Sequence, residues 1–124
     1  MKKKRNPQFT TDEAQTATLL VTEGWVGCHR ARIRGKWYRY PRIRIGICDK
    51  EALEPAARVF KTTIGVHREK TIRCPPHLFP PDGLGFWKIS KVGKPAEQLV
   101  EHLKPLLTKE FLKKWEKIRE TCRE

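Results

Sequence analysis

Residues 42–47, Arg-Ile-Arg-Ile-Gly-Ile, alternate polar and apolar positions with a period of two. That alternation predicts a strand with one face buried. It closes a longer extended segment, residues 37–48, which returns from a first strand over residues 25–34 through a turn at Gly35-Lys36. Before the hairpin the chain reads as a helix from Thr10 or Thr11 to about Glu23, stopped at Gly24. Thr10 and Glu13 have capping-box spacing, and Asp12 and Glu13 suit the positive end of the helix dipole. After the hairpin, Asp49 caps a helix over residues 50–61 with Leu53, Ala56, Ala57 and Phe60 on one face. Pro55 inside it is expected to delay its start or kink it.

Two further strands are expected over residues 63–73 and 85–92. The connection between them, residues 74–84, holds four prolines and one glycine and reads as a loop. A helix from Pro95 carries Leu99, Val100, Leu103, Leu106 and Leu107, broken at Pro105 and Thr108. A last helix starts near Lys109 with Phe111, Leu112, Trp115 and Ile118 on its apolar side. The order α-β-β-α-β-β-α-α describes an α+β fold: one four-stranded antiparallel sheet with helices on one face.

Alternation assigns the faces. Ile43, Ile45, Ile47, Trp87 and Ile89 point to the helices, and Arg42, Arg44, Gly46, Lys88 and Ser90 point away. In the first strand it puts Trp25, Gly27, His29 and Ala31 on the outer face and Arg30, Arg32 and Arg34 on the other. Either a bulge near His29 reverses the phase, or these arginines pass the core and reach out from the hairpin tip; the second is favoured. Trp25, Trp37 and Trp115 read as packing residues.

Charge sharpens this picture. The 124 residues carry 27 Lys and Arg against 14 Asp and Glu, a net charge of +13. Between residues 25 and 48 stand Arg30, Arg32, Arg34, Lys36, Arg39, Arg42 and Arg44, and no acid. A basic sheet of this kind is an electrostatic footprint for nucleic acid. The length suits one domain, residues 10–124, behind a flexible basic tail, residues 1–9, and is short for a two-domain enzyme. No apolar run is long enough to span a membrane, and the basic N-terminus lacks the apolar stretch of a secretory signal. Cys28, Cys48, Cys74 and Cys122 show no C-x-x-C spacing. The expectation is free thiols in an intracellular, reducing compartment (cytoplasm, nucleoid or organelle), with Cys28 and Cys48 as small buried hydrophobes. Cys74 and His77 have C-x-x-H spacing without a second half-site for zinc. No hydrolase triad or phosphate-cradling glycine loop is visible.

The first helix carries small residues at Ala14, Ala17, Thr18 and Val21, a stripe that lets two helices approach closely. Its end, Thr16-Ala17-Thr18-Leu19-Leu20-Val21-Thr22-Glu23-Gly24, resembles the LAGLIDADG motif of homing endonucleases, with Glu23 on the acid and Gly24 on the closing glycine. Residues 41–53, Trp87-Lys88-Ile89-Ser90 and residues 103–110 resemble the family's alternating strand and following helix start, its fourth strand and its leucine-rich helix with a following lysine. The similarity spans about residues 11–118. Thr18 replaces the motif's glycine and Val21 its first acid.

The resemblance implies an αββαββα fold. It further implies a homodimer through Ala14, Ala17, Thr18 and Val21, acting on a long pseudo-palindromic site in double-stranded DNA. It implies that Glu23 is catalytic and binds Mg²⁺ or Mn²⁺, that Lys109 is a second catalytic residue, and that the product is a double-strand break, as in intron or intein mobility. The DNA-facing candidates are His29, Arg30, Arg32, Arg34, Arg42, Arg44, His67, Glu69 and Lys88. Two rival readings stand beside it: a relative that binds nucleic acid without cleaving (a vestigial endonuclease, an RNA maturase or a regulator), and a small basic RNA- or ribosome-associated protein.

Overall fold

A computed structural model describes residues 8–75, 77–78 and 83–123. The first helix, α1 (Thr11–Glu23), is closed by the expected capping box: Glu13 N–H donates to Thr10 Oγ1, and Thr10 N–H donates to Glu13 Oε1. Strands β1 (Gly24–Ile33) and β2 (Lys36–Ile47) pair without interruption, from Gly24 opposite Ile45 to Ile33 opposite Lys36. No bulge reverses the phase at His29. The turn falls at Arg34-Gly35, one residue earlier than expected; both residues have positive φ (53° and 81°), the pattern of a type I′ hairpin.

Asp49 caps α2 (Lys50–Phe60), and Pro55 neither delays nor interrupts it. The third strand is much shorter than the expected eleven-residue segment: β3 is only Gly65–His67. After His67 the chain turns, with Ile72 N–H donating to Glu69 O and Thr71 Oγ1–H to Glu69 Oε2. It rejoins the sheet at a single bridge, Arg73 to Leu84. Local hydrogen bonds to the backbone carbonyl and carboxylate of Glu69 thus outcompete the ladder in this stretch. β4 (Phe86–Val92) completes an antiparallel sheet of order β1-β2-β4-β3. Helix α3 (Lys94–Leu103) gives way at Pro105 to one 3₁₀ turn (Lys104–Leu106), and α4 (Lys109–Arg123) starts under Thr108, whose Oγ1 accepts from Phe111 N–H. Among the described residues, no helix is long and apolar enough to cross a membrane.

The core lies between the sheet and its helices. Ile43, Ile45 and Ile89 are buried beside Leu20, Leu53, Phe60, Val100, Leu103 and Trp115. Each fully buried aliphatic side chain of this kind contributes about 1.5–3 kcal/mol. Residues 1–7 of the expected tail lie outside the described residues. Phe9 packs on the core and meets His102 edge-on at 5.5 Å between ring centres, so the fold begins before residue 10.

The expectation of four free thiols is overturned. Cys28 and Cys122 stand at disulfide distance, as do Cys48 and Cys74, with Cα separations of 6.3 and 5.4 Å. Linear spacing gave no sign of either pair. The first depends on α4 lying along β1, and the second on Cys74 lying against the end of β2. Paired cysteines do not point to a reducing compartment.

Candidate nucleic-acid interface

The helices leave one sheet face open, and cross-strand register decides what stands on it. Trp25 lies opposite Arg44, Gly27 opposite Arg42 and His29 opposite Tyr40; Gly46 lies opposite Lys88, and His67 opposite Phe86. Trp25 is 40% exposed rather than packed inside, whereas Trp115 is buried. Two glycines shape this face. A Cβ on Gly27 would collide with the Trp25 ring, and one on Gly46 with the Phe86 ring. The Trp25 ring therefore lies over the backbone of its own strand and the Phe86 ring over that of β2, each where a side chain would collide with it.

Guanidinium groups stack between and beside these rings. Arg44 Cζ is 4.8 Å from the Trp25 ring centre and 6.0 Å from that of Phe86, and Arg42 Cζ is 5.3 Å from Trp25. The ring quadrupoles hold the cations by about 0.5–1 kcal/mol at each exposed contact. His67 stacks on Phe86 at 4.7 Å, and Arg42 Nη1 stands 3.5 Å from His29 Nδ1. The result is one tier across the sheet: His67, Phe86, Arg44, Trp25, Arg42, His29.

This tier is electrostatically incomplete. No carboxylate pairs with Arg42 or Arg44 among the described residues, and Arg42 Nε is buried without a hydrogen-bond partner. Burial lowers the Arg44 pKa, and the neighbouring Arg42 charge lowers it further. Arginine keeps its proton near neutral pH regardless, so two like charges are held together over apolar rings. An anion arriving there would relieve the repulsion.

The other sequence candidates are distributed differently. Lys88 shares the open face with the tier. Glu69 lies in the turn beyond β3, 3.7 Å from His67 Nε2, and is not on the sheet. Arg30 and Arg32 stand on the helix side of the hairpin over Trp37, and Arg34 is in the turn itself. Sequence reasoning missed Phe86 and treated Trp25 and Trp37 as packing. The available signal was the pair of glycines at outward positions of otherwise regular strands.

Glu23 is exposed as the last residue of α1, at the corner where the helix enters the sheet. Gly24 makes that corner possible: a Cβ there would run into the Leu20 carbonyl. A cleft of about 270 Å³ beside the corner is lined by Gly24, Trp25, Thr108, Glu110 and Lys114. Lys109 faces a separate groove along α4, with Leu112 and Glu116. The α4 lysine that lines the cleft at the corner is therefore Lys114. Of the stripe on α1, Ala14 and Thr18 are exposed, Val21 is half-buried, and Ala17 is buried within its own chain at 2% exposure. The outward face is thus Thr11, Ala14, Gln15, Thr18 and Thr22. Among the described residues, no three His, Cys, Asp or Glu side chains gather as a metal-holding group.

No family model and no curated protein matches the chain. Among solved structures it is similar to the LAGLIDADG homing endonuclease I-GzeII in complex with its DNA target, with a TM-score of 0.48 and 15% identity over 76% of this chain and 28% of that one. It is also similar to the LAGLIDADG homing endonuclease I-LtrWI bound to target DNA, with a TM-score of 0.45 and 16% identity over 84% of this chain and 30% of that one. The chain spans under a third of the length of either neighbour.

Proposed function

We propose that the chain binds double-stranded DNA across the open sheet face and acts as one half of a homodimeric, metal-dependent endonuclease. The observation that carries the binding reading is the Arg42–Arg44 pair, which has no carboxylate partner among the described residues and is held over Trp25 on the open sheet face. Duplex DNA supplies what that face lacks: closely spaced phosphates, and base edges that accept bidentate arginine contacts. Lys88, His67 and His29 extend the same surface. The cleavage reading rests on the motif-like end of α1, which sets Glu23 at the corner beside that face.

The donor chemistry at Glu23 suits a hard divalent cation, since an exposed carboxylate is an oxygen ligand of the right kind. At the corner itself one chain offers Glu23, with Glu110 in the neighbouring cleft. The other oxygens would come from a second copy's Glu23 and from DNA phosphates, which fits a dimer made through the exposed Ala14 and Thr18 face of α1. Mg²⁺ or Mn²⁺ held there would neutralise charge developing on the phosphodiester. Lys114 lines the cleft next to this corner and can stabilise charge at the phosphate. Lys109, the first residue of α4, lies on the separate groove and would serve as a phosphate anchor.

The test is incubation with a randomised duplex library in Mg²⁺ and then in Ca²⁺, reading bound and cleaved molecules separately. Cleavage in Mg²⁺ with binding alone in Ca²⁺ is expected. Glu23→Gln should abolish cleavage and leave binding within about twofold, because the uncharged amide no longer offers a hard anionic ligand. Loss of binding together with cleavage would make Glu23 structural. Selective binding with no cleavage in either metal would leave the DNA-binding reading and remove the nuclease. Binding to RNA without duplex selectivity would remove both.

A further inference from the structure

The β1–β2 hairpin carries a second basic surface on the opposite side from Arg42 and Arg44. Helix α4 lies along the helix side of β1 as far as Cys28, whose Sγ is 4.0 Å from Ile118 O and which pairs with Cys122 in the last turn. From Cys28 to Ile33 the strand continues for ~17 Å at its usual rise. On that extension Arg30, Arg32, Trp37 and Arg39 are all exposed on the helix side.

Trp37 lies opposite Arg32 in register, and the guanidinium carbons of Arg30 and Arg32 are 4.8 and 5.8 Å from its ring centre. It is 58% exposed, the most exposed of the large apolar side chains described. Beside it, between the extension and the end of α4, runs an open groove of about 570 Å³. Its walls are Arg30, Trp37, Tyr38, Arg39, Cys122 and Arg123. No acid stands among the described residues of that wall. An exposed indole beside the guanidinium groups of Arg30 and Arg32, with Arg123 across the groove, combines an apolar flat surface with positive charge.

Few ligands answer both features. An acidic peptide would meet the arginines and leave the ring in water. A duplex hides its base faces in the stack and would also use only the charges. A single strand offers phosphates together with open base faces, and base stacking on an indole is tolerant of sequence. We propose that this groove binds single-stranded nucleic acid, with a base stacked against Trp37 and its phosphates held by Arg30, Arg32 and Arg123. The site is separate from the duplex surface and does not depend on it, because the two lie on opposite faces of the same hairpin.

The experiment measures fluorescence anisotropy of a labelled oligothymidylate of about twelve nucleotides. A labelled duplex selected from the library above is measured in parallel, across a salt series. The full chain is compared with Trp37→Ala, with the Arg30→Ala/Arg123→Ala double variant, and with the Arg42→Ala/Arg44→Ala double variant. All five positions are on the surface or on the open face, and circular dichroism checks that each variant is folded. Trp37→Ala should weaken oligothymidylate binding by about tenfold and leave the duplex unaffected. The Arg30/Arg123 variant should lower the logarithmic salt slope for the single strand by about 1.4. The Arg42/Arg44 variant should do the reverse, losing duplex and keeping oligothymidylate. The proposal is overturned if the wild-type chain does not bind oligothymidylate, if Trp37→Ala binds it like wild type, or if both ligands fall together in the Arg42/Arg44 variant. Trp37-dependent single-strand binding without duplex binding would instead overturn the duplex reading and leave this one standing.

Discussion

Strand β2 presents two faces of opposite character within four residues. Ile43 and Ile45 are fully buried against the helices, while Arg42 and Arg44 stand on the open side over Trp25. The isoleucines are satisfied by their own chain: each finds apolar neighbours and leaves water. The arginines are not, since one has a buried donor without a partner and both face a like charge. One face therefore holds the fold, and the other is the surface proposed to meet DNA. Separating stability from affinity tests that division.

The largest effect is expected on the buried face. Ile45→Ala removes a side chain from a closed core and should cost about 2–5 kcal/mol in denaturant unfolding. The fraction that remains folded should bind duplex as before. A variant that kept its stability but lost its affinity would break the division outright.

The next effect lies on the open face and has the opposite signature. Arg44→Ala should weaken duplex binding by about tenfold or more, in line with losing one well-placed arginine contact. Its thermal midpoint should change little, because loss of the contacts to the Trp25 and Phe86 rings offsets the relief of charge burial and of repulsion with Arg42. A clear drop in the midpoint would mean that Arg44 supports the fold.

Gly27→Ala sharpens the same comparison without changing charge. The new methyl must push the Trp25 ring off the strand, and with it the platform under Arg42 and Arg44. Duplex affinity should fall severalfold, while stability moves by under about 1 kcal/mol, the propensity difference between glycine and a small side chain. Unchanged affinity would show that the flat ring is not part of the interface.

The smallest effect concerns the helix layer and acid pH. Glu13 has a lowered pKa, first through the Thr10 backbone N–H and then through His102, whose Nε2 is 2.8 Å away. Asp12 is lowered chiefly by its hydrogen bond from Arg58, with Nε 2.8 Å from Oδ2. A carboxylate whose folded pKa is depressed stabilises the fold above its unfolded value and loses that contribution as pH falls through the folded one. Stability should therefore decline from about pH 4.5 downward, and Glu13→Gln should flatten part of the decline. Both carboxylates are half-buried and still reach solvent, so the slope should shrink in high salt. Urea titrations across that range read both effects.

Much of this was legible in the residues themselves. The capping box at Thr10, the cap at Asp49, the Arg-Ile alternation and the break at Pro105 each encode their element locally, and each appears where the pattern put it. The division of β2 into an apolar and a basic face followed from the same alternation. The third strand was not legible, because β-compatible residues after His67 are diverted into a turn by Glu69 and Thr71, and propensity alone does not weigh that competition.

The candidate site divides in the same way. Sequence pattern determined that Arg42 and Arg44 share a face and that Glu23 ends a helix, because side-chain direction in a strand or helix is fixed by a period of two or 3.6. Tertiary structure alone decided the rest. Strand register set Trp25 and Phe86 on either side of Arg44, and packing buried Ala17 while leaving Ala14 and Thr18 outside. The course of α4 brought Lys114 rather than Lys109 to the corner at Gly24, and carried Cys122 to Cys28 across ninety-four positions of chain. These are meetings between distant segments. They depend on how whole elements pack against one another, which no local period records.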